Sequence, residues 1–205
     1  MKNKIKCVIF DLDGVLVDAC DWHKEALNLS LFEVANFVIS DEEHVKIFNG
    51  LPTKDKLKIL VQQKKIQEEQ CDKINKRKQE ITIEIINSNC VIDNSKIQLL
   101  NFLKNKNITV CCYTNSIKKT AKIMLDKIGI LNLLDDLLTN EDVIKAKPDP
   151  EGYNKIINKF KFKKEEYLIV EDSENGLKSA YQTGANVLKV KCAQEVNISL
   201  FEDIL

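Results

Sequence analysis

Arginine is almost missing from this chain: Arg77 stands alone among 31 basic residues. Planar bidentate clamping of phosphate or carboxylate needs a guanidinium fork, so one position at most can supply it and lysine carries the remaining cationic work. Net charge is missing as well, with 31 basic against 31 acidic side chains. Nucleic-acid binding leaves a basic footprint, so no nucleic-acid partner is expected. No apolar run approaches the ~20 residues of a membrane span. The run ahead of Asp11 is also shorter than the ~7–15 apolar residues of a signal-peptide core. The expectation is a cytoplasmic protein with no membrane partner. Disulfide and zinc spacing are lacking too: Cys7, Cys20, Cys71, Cys90, Cys111, Cys112 and Cys192 are odd in number and form no CxxC pair. They read as free, largely buried thiols in a reducing compartment.

What is present excludes disorder, because 44% hydrophobic residues accompany a net charge of zero. A length of 205 residues suits one domain carrying a smaller insert. Ile5 to Phe10 is a continuous β-branched and aromatic run that meets Asp-Leu-Asp-Gly, the pattern of a buried parallel strand ending in a loop. From Asp21 to about Ile86 apolar residues recur at helical spacing, with breaks at Ser40-Asp41 and at Asn49-Gly50-Leu51-Pro52. The polar stretch from Gln62 to Glu80 is expected to be a solvated helix face over a narrow apolar stripe.

After Asn94 the rhythm alternates. Helices are expected over 97–103, 117–128, 151–160 and 174–183, and strands over 108–113, 136–138, 167–170 and 186–190. Alternation of this kind implies parallel strands joined by right-handed crossovers, hence a doubly wound α/β core. The expected division is a core over 1–17 and 88–205, with an inserted α-helical cap over 18–87.

In open parallel sheets ligands bind beyond the carboxyl ends of the strands. Four points of this sequence fall there: Asp11 and Asp13, then Thr114-Asn115-Ser116, then Lys147, then Glu171-Asp172. Each has a plain structural reading. Asp-x-Asp-Gly is a common turn, Lys-Pro a surface loop, and Glu-Asp-Ser before a helix an N-cap with favourable dipole charge. Their joint order, each at a strand end, is what those readings do not explain.

As a set these residues resemble the haloacid dehalogenase superfamily, in the subgroup whose helical cap follows the first motif. The matching segments are Asp11-Leu12-Asp13-Gly14-Val15-Leu16-Val17-Asp18, Tyr113-Thr114-Asn115-Ser116, Lys147-Pro148-Asp149-Pro150 and Glu171-Asp172-Ser173-Glu174-Asn175-Gly176. The resemblance implies a three-layer Rossmann-like core and a phosphatase acting on a small phosphomonoester through an aspartyl phosphate. Asp11 would be the nucleophile and Asp13 the general acid and base. Mg²⁺ would be held by Asp11, the Asp13 carbonyl and Asp172, with Glu171 as ligand or support. Thr114, the Asn115 amide and Lys147 would bind the phosphoryl group. Dehalogenating members lack the second acid and need no metal, so dehalogenation is not expected.

The cap residues singled out by the same resemblance are Asp18, His23, Gly50, Thr53, Lys54 and Lys78. His23 reads equally well as a helix-surface histidine, and Lys78 as a solvated lysine. In hexose-phosphate mutases of this type an arginine stands three positions after the loop glycine; here that position is Thr53, followed by Lys54. Loss of the fork favours hydrolysis over a mutase reaction, which is the alternative expectation. A catalytically silent binding module is the third, and it would normally have lost Asp11 or Asp172. A monomer is expected.

Overall fold

The computed structural model describes residues 5–48, 50–202 and 204–205. Five parallel strands form one sheet: β1 (Cys7–Phe10), β2 (Thr109–Tyr113), β3 (Asp136–Leu138), β4 (Tyr167–Glu171) and β5 (Asn186–Lys189), in the spatial order β3-β2-β1-β4-β5. β1 is central, with Cys7 opposite Thr109 on one side and Tyr167 on the other. All four of its side chains are buried, which is why its sequence is continuously apolar rather than alternating.

The two faces of the sheet have different covers. Cys7 and Ile9 pack in one cluster with Tyr153, Ile156 and Ile157 of a helix spanning Glu151–Phe160 and with Ala180 of a helix spanning Glu174–Tyr181. Phe10 has the opposite parity and meets Phe201, whose helix is Ile198–Glu202, at a ring distance of 5.7 Å. The architecture is the doubly wound α/β sheet expected from the alternation of apolar patterns. All seven cysteines are free thiols. Among the described residues no helix is long and apolar enough to cross a membrane.

The chain divides into two compact units, one formed by the segment up to Asp18 together with Val91–Leu205, the other by Ala19–Cys90. The second unit is helical: α1 (Cys20–Ala35), α2 (Asp41–Glu43), α3 (Thr53–Gln62) and α4 (Cys71–Asn89). Ser40 and Glu43 close a capping box at the start of α2. The next five residues, His44–Phe48, form a π turn. Leu27 and Leu31 of α1, Leu57 and Leu60 of α3, and Phe48 and Ile74 make this unit's core, each contributing about 1.5–3 kcal/mol on burial.

The expected helical face from Gln62 to Glu80 is broken. α3 stops at Gln62, the chain reverses at Lys64 with φ of 57°, and α4 starts only at Cys71. Ile66, buried between them, is the apolar anchor of that turn; helical periodicity cannot signal it because the residues around it are polar.

Candidate active site

The strand order places β1 and β4 side by side where the chain's direction of winding reverses, the switch point at whose carboxyl ends open parallel sheets bind ligands. Asp11 extends the ladder by donating its N–H to Val170 O at 3.0 Å. Beyond it the chain turns tightly. The N–H groups of Leu16 and Val17 both reach Leu12 O at 2.9 Å, and that of Gly14 reaches Val17 O at 2.7 Å. Gly14 has φ of 91°, and a β-carbon there would run into the Asp172 carboxylate. Only glycine lets the first loop approach the fourth strand's acid so closely.

Lys147 is the hub. Its Nζ donates to Asp11 Oδ1 at 2.6 Å, to Glu171 Oε1 at 2.6 Å and to Tyr113 O at 2.9 Å, using all three of its donors. Burial alone would depress its pKa, but Asp11 and Glu171 outweigh burial and hold it well above the usual lysine value. The rings of Tyr113 and Tyr153 flank the ammonium, 4.8 and 5.0 Å from their centroids, and stand at 89° to each other. The main chain of Lys147 is fixed from the second strand: its N–H donates to Asn115 Oδ1, and Asn115 Nδ2 donates to its carbonyl, both at 3.1 Å.

Glu171 lies inside β4, opposite Lys189, rather than beyond the strand as its acidic character suggested. It is fully buried, and four donors explain how a carboxylate is accommodated there. Lys147 Nζ and the Tyr153 hydroxyl donate to Oε1, each at 2.6 Å. The Asp172 N–H and the Ser173 hydroxyl reach Oε2 at 3.2 and 3.4 Å. A β-carbon on Gly176 would overlap this carboxylate.

Asp172 differs: its Oδ1 is buried with no hydrogen-bond partner. Burial, reinforced by Glu171, raises its pKa to about 6. Asp11 is also raised, by burial first; Lys147 opposes the shift, and Glu171, Asp172 and Asp13 add to it. One oxygen each from Asp11, Glu171 and Asp172 lie within 4.8 Å of one another. An orphaned carboxylate oxygen, an all-oxygen donor set and more acids than Lys147 can neutralise together fit a hard divalent cation.

Asp13 sits at the rim, half-buried. Its Oδ2 accepts from the Ser116 hydroxyl at 2.8 Å and the Thr114 hydroxyl at 3.2 Å. The Ser116 N–H in turn donates to Thr114 Oγ1 at 2.9 Å. The structure therefore gathers Asp11, Asp13, Thr114, Asn115, Lys147, Glu171 and Asp172 at one edge. Asp18 belongs to the same unit but is exposed, its Oδ2 accepting from Gln194 Nε2 at 3.0 Å.

The other singled-out residues belong to the helical unit. His23 Nδ1 and Lys78 Nζ are 3.1 Å apart, so Lys78 is half-buried against another side chain rather than a simply solvated lysine. Thr53 and Lys54 open α3, just after Gly50 and Pro52.

Sequence reading passed over Tyr153, Gly152 and the side-chain role of Ser116. Tyr153 falls on the apolar face of its helix with Ile156 and Ile157, and that spacing signals core rather than site. Gly152 is needed because the Tyr113 ring lies where its β-carbon would be.

This fold and site define an α/β protein with a lysine-bridged carboxylate cluster at the switch point of its sheet. Residues 8–190 match the family of haloacid dehalogenase-like hydrolases, and the chain belongs to that family. It is similar to a phosphorylated carbohydrates phosphatase of Thermotoga maritima, 26% identical over 183 residues that cover 88% of this chain and 82% of the relative. It is also similar to a probable pseudouridine-5'-phosphatase of Saccharomyces cerevisiae, 28% identical over 200 residues that cover 91% and 82% of the two chains. In fold it resembles a β-phosphoglucomutase from Clostridium difficile, with a TM-score of 0.82 at 20% identity over 97% of this chain and 96% of the other.

Proposed function

We propose that the protein is a Mg²⁺-dependent phosphatase that hydrolyses a small phosphomonoester through an aspartyl phosphate on Asp11. The observation that carries this reading is the placement of Asp11 at the end of the central strand, 2.6 Å from Lys147 and beside the unpartnered Oδ1 of Asp172. Asp11, the carbonyl of Asp13 and Asp172 would hold the cation, which, when bound, offsets the repulsion between a carboxylate and a phosphate dianion. Lys147 adds a second positive charge against the same groups.

In the first step the Asp11 carboxylate attacks phosphorus and the ester P–O bond breaks, while Asp13 gives its proton to the departing alkoxide. Thr114 and the Asn115 amide hold the phosphoryl oxygens. In the second step Asp13 takes a proton from water, and the resulting hydroxide displaces Asp11 from phosphorus, releasing inorganic phosphate. The Ser116 hydroxyl, already bonded to Asp13 Oδ2 at 2.8 Å, keeps that carboxyl aimed through both steps, while the Thr114 hydroxyl, with its longer 3.2 Å bond to the same oxygen, turns to the phosphoryl group. The named activities of the relatives and the free thiols support a phosphatase working in a reducing cytoplasm.

Thr53, in the place of a phosphate-gripping arginine, supports hydrolysis over phosphoryl transfer between two sites on a sugar. The test is turnover of a panel of sugar phosphates, phosphoglycolate-like acids and nucleoside monophosphates, with Mg²⁺ and with EDTA, beside Asp11→Asn. Phosphate release lost in both controls is expected; release surviving both would overturn the mechanism. A hexose 1-phosphate given with its bisphosphate should yield free phosphate, and isomer without phosphate would favour the mutase.

A further inference from the structure

Glu171 is one of the three acids close enough to share a cation, yet both of its oxygens are already occupied. Each oxygen accepts two donors, and a carboxylate offers about four lone-pair sites in total. Three of those donors belong to groups that the site uses elsewhere or that lie next to Glu171 in sequence: Lys147, the Asp172 N–H and the Ser173 hydroxyl. The fourth is the Tyr153 hydroxyl, 2.6 Å from Oε1, on a side chain that is 0% exposed and is carried by the helix spanning Glu151–Phe160. A phenylalanine would fill the same core space among Tyr113, Ile156 and Ile169, and would face the Lys147 ammonium equally well. The hydroxyl therefore does something the packing does not require.

We propose that Tyr153 is a positioning residue that withholds Glu171 from the cation: its hydroxyl keeps Glu171 Oε1 turned to Lys147, so that the metal has Asp11, the Asp13 carbonyl and Asp172 as its protein ligands. The inference rests on the cation site proposed above. Its physical consequence is selectivity. Mg²⁺ binds through one or two carboxylates and keeps several waters, whereas Ca²⁺ takes six to eight oxygens in a looser arrangement. A site kept short of one carboxylate favours the smaller ion.

The test is calorimetric titration of the full-length protein and Tyr153→Phe with MgCl₂ and with CaCl₂, which reads binding without turnover. Removing the hydroxyl leaves Lys147 as the one donor to Oε1 and opens the second acceptor site of that oxygen, so Ca²⁺ is expected to bind about tenfold tighter while Mg²⁺ changes by less than about threefold. The same substitution in a Glu171→Gln background should shift neither ion, which a purely structural effect of the ring would not obey. Equal selectivity in wild type and Tyr153→Phe, or the same shift with and without Glu171, overturns the proposal and leaves the Mg²⁺ phosphatase reading standing. Wild type that binds neither ion overturns both. Should Tyr153→Phe not fold, a crystal structure of the wild type with Mg²⁺ decides. Glu171 bonded to Tyr153 and outside the coordination shell supports the inference, and Glu171 within the shell ends it.

Discussion

Lys147 Nζ stands 2.6 Å from Asp11 Oδ1, with the lysine side chain 3% exposed and the aspartate 10% exposed. A buried ion pair of this kind adds little net stability, yet losing one partner strands the other's charge in a dry environment. Lys147→Met should therefore cost about 3–5 kcal/mol by denaturant unfolding. It should also lower kcat about a hundredfold to a thousandfold, because a preorganised charge at the reacting centre is lost. Lys147→Arg should not restore activity, since a planar fork cannot aim three N–H groups at Asp11, Glu171 and Tyr113 O together. Near wild-type turnover in either variant would remove Lys147 from the mechanism.

Ser116 donates to Asp13 Oδ2 at 2.8 Å, and the bond is to the group assigned proton transfer. A hydrogen bond to a charged group is worth about 1.5–3 kcal/mol. Ser116→Ala should lower kcat about tenfold to a hundredfold, with the melting temperature nearly unchanged. The informative measurement is the pH profile of kcat, whose limb belonging to the general acid should move in the variant and not in a surface control.

Gly176 faces the Glu171 carboxylate with no room for a β-carbon. Glu171 is fully buried and bonded by four donors, so it cannot step aside cheaply. Gly176→Ala is expected to destabilise the protein by about 1–3 kcal/mol, the usual cost of overpacking. It should also weaken Mg²⁺ binding in the same calorimetric titration, through the neighbouring Asp172. A variant with full stability and unchanged metal affinity would show that the carboxylate can relocate.

His44 is buried in the π turn of the helical unit, its Nε2 without a hydrogen-bond partner. Burial first, then Lys56 and Lys24, lower its pKa from 6.5 to about 4, against the smaller pull of Asp41 and Glu43. Between those two values the unfolded chain binds a proton that the folded chain refuses, so stability falls as pH drops from 6.5 toward 4 and the loss saturates below that. Above pH 6.5 the residue costs nothing. The slope of stability against pH in that window should be shallower in His44→Gln than in wild type when urea midpoints are compared. Identical slopes would mean that His44 titrates normally.

The core sheet was legible in the sequence because its three inner strands, β1, β2 and β4, are largely apolar runs that lead into polar loops, as in Cys7–Phe10 before Asp11. The gathering of the candidate site was legible for a related reason: strand ends are where a parallel sheet collects its chemistry, and acids or hydroxyls placed there are conspicuous. Glu171 defeated that rule by a single residue, since an acid at the end of an apolar run looks like a loop until Lys147 and Tyr153 are seen to satisfy it. Tyr153 was hidden for the opposite reason, because an aromatic on a core face carries no outward sign that its hydroxyl is engaged. Arg77, the one guanidinium, grips Glu33 from α4 at 2.6 and 3.2 Å within the helical unit, an arrangement that no sequence spacing announces across so many intervening residues.

The central position of β1 bears on how the protein is made. Its partners across the ladder are residues 109–112 and 167–170, so neither flank of the first strand can be covered until much later parts of the chain exist. During synthesis Asp11 and Asp13 emerge early and wait, while the intervening helical unit, whose contacts are nearer in sequence, has everything it needs to collapse first. The proposed catalytic edge is thus among the last features to be assembled. A ribosome-bound chain stopped before β4 would carry the first motif without the acids that complete it, and truncation beyond residue 90 but short of 171 should yield a folded helical unit and no metal site.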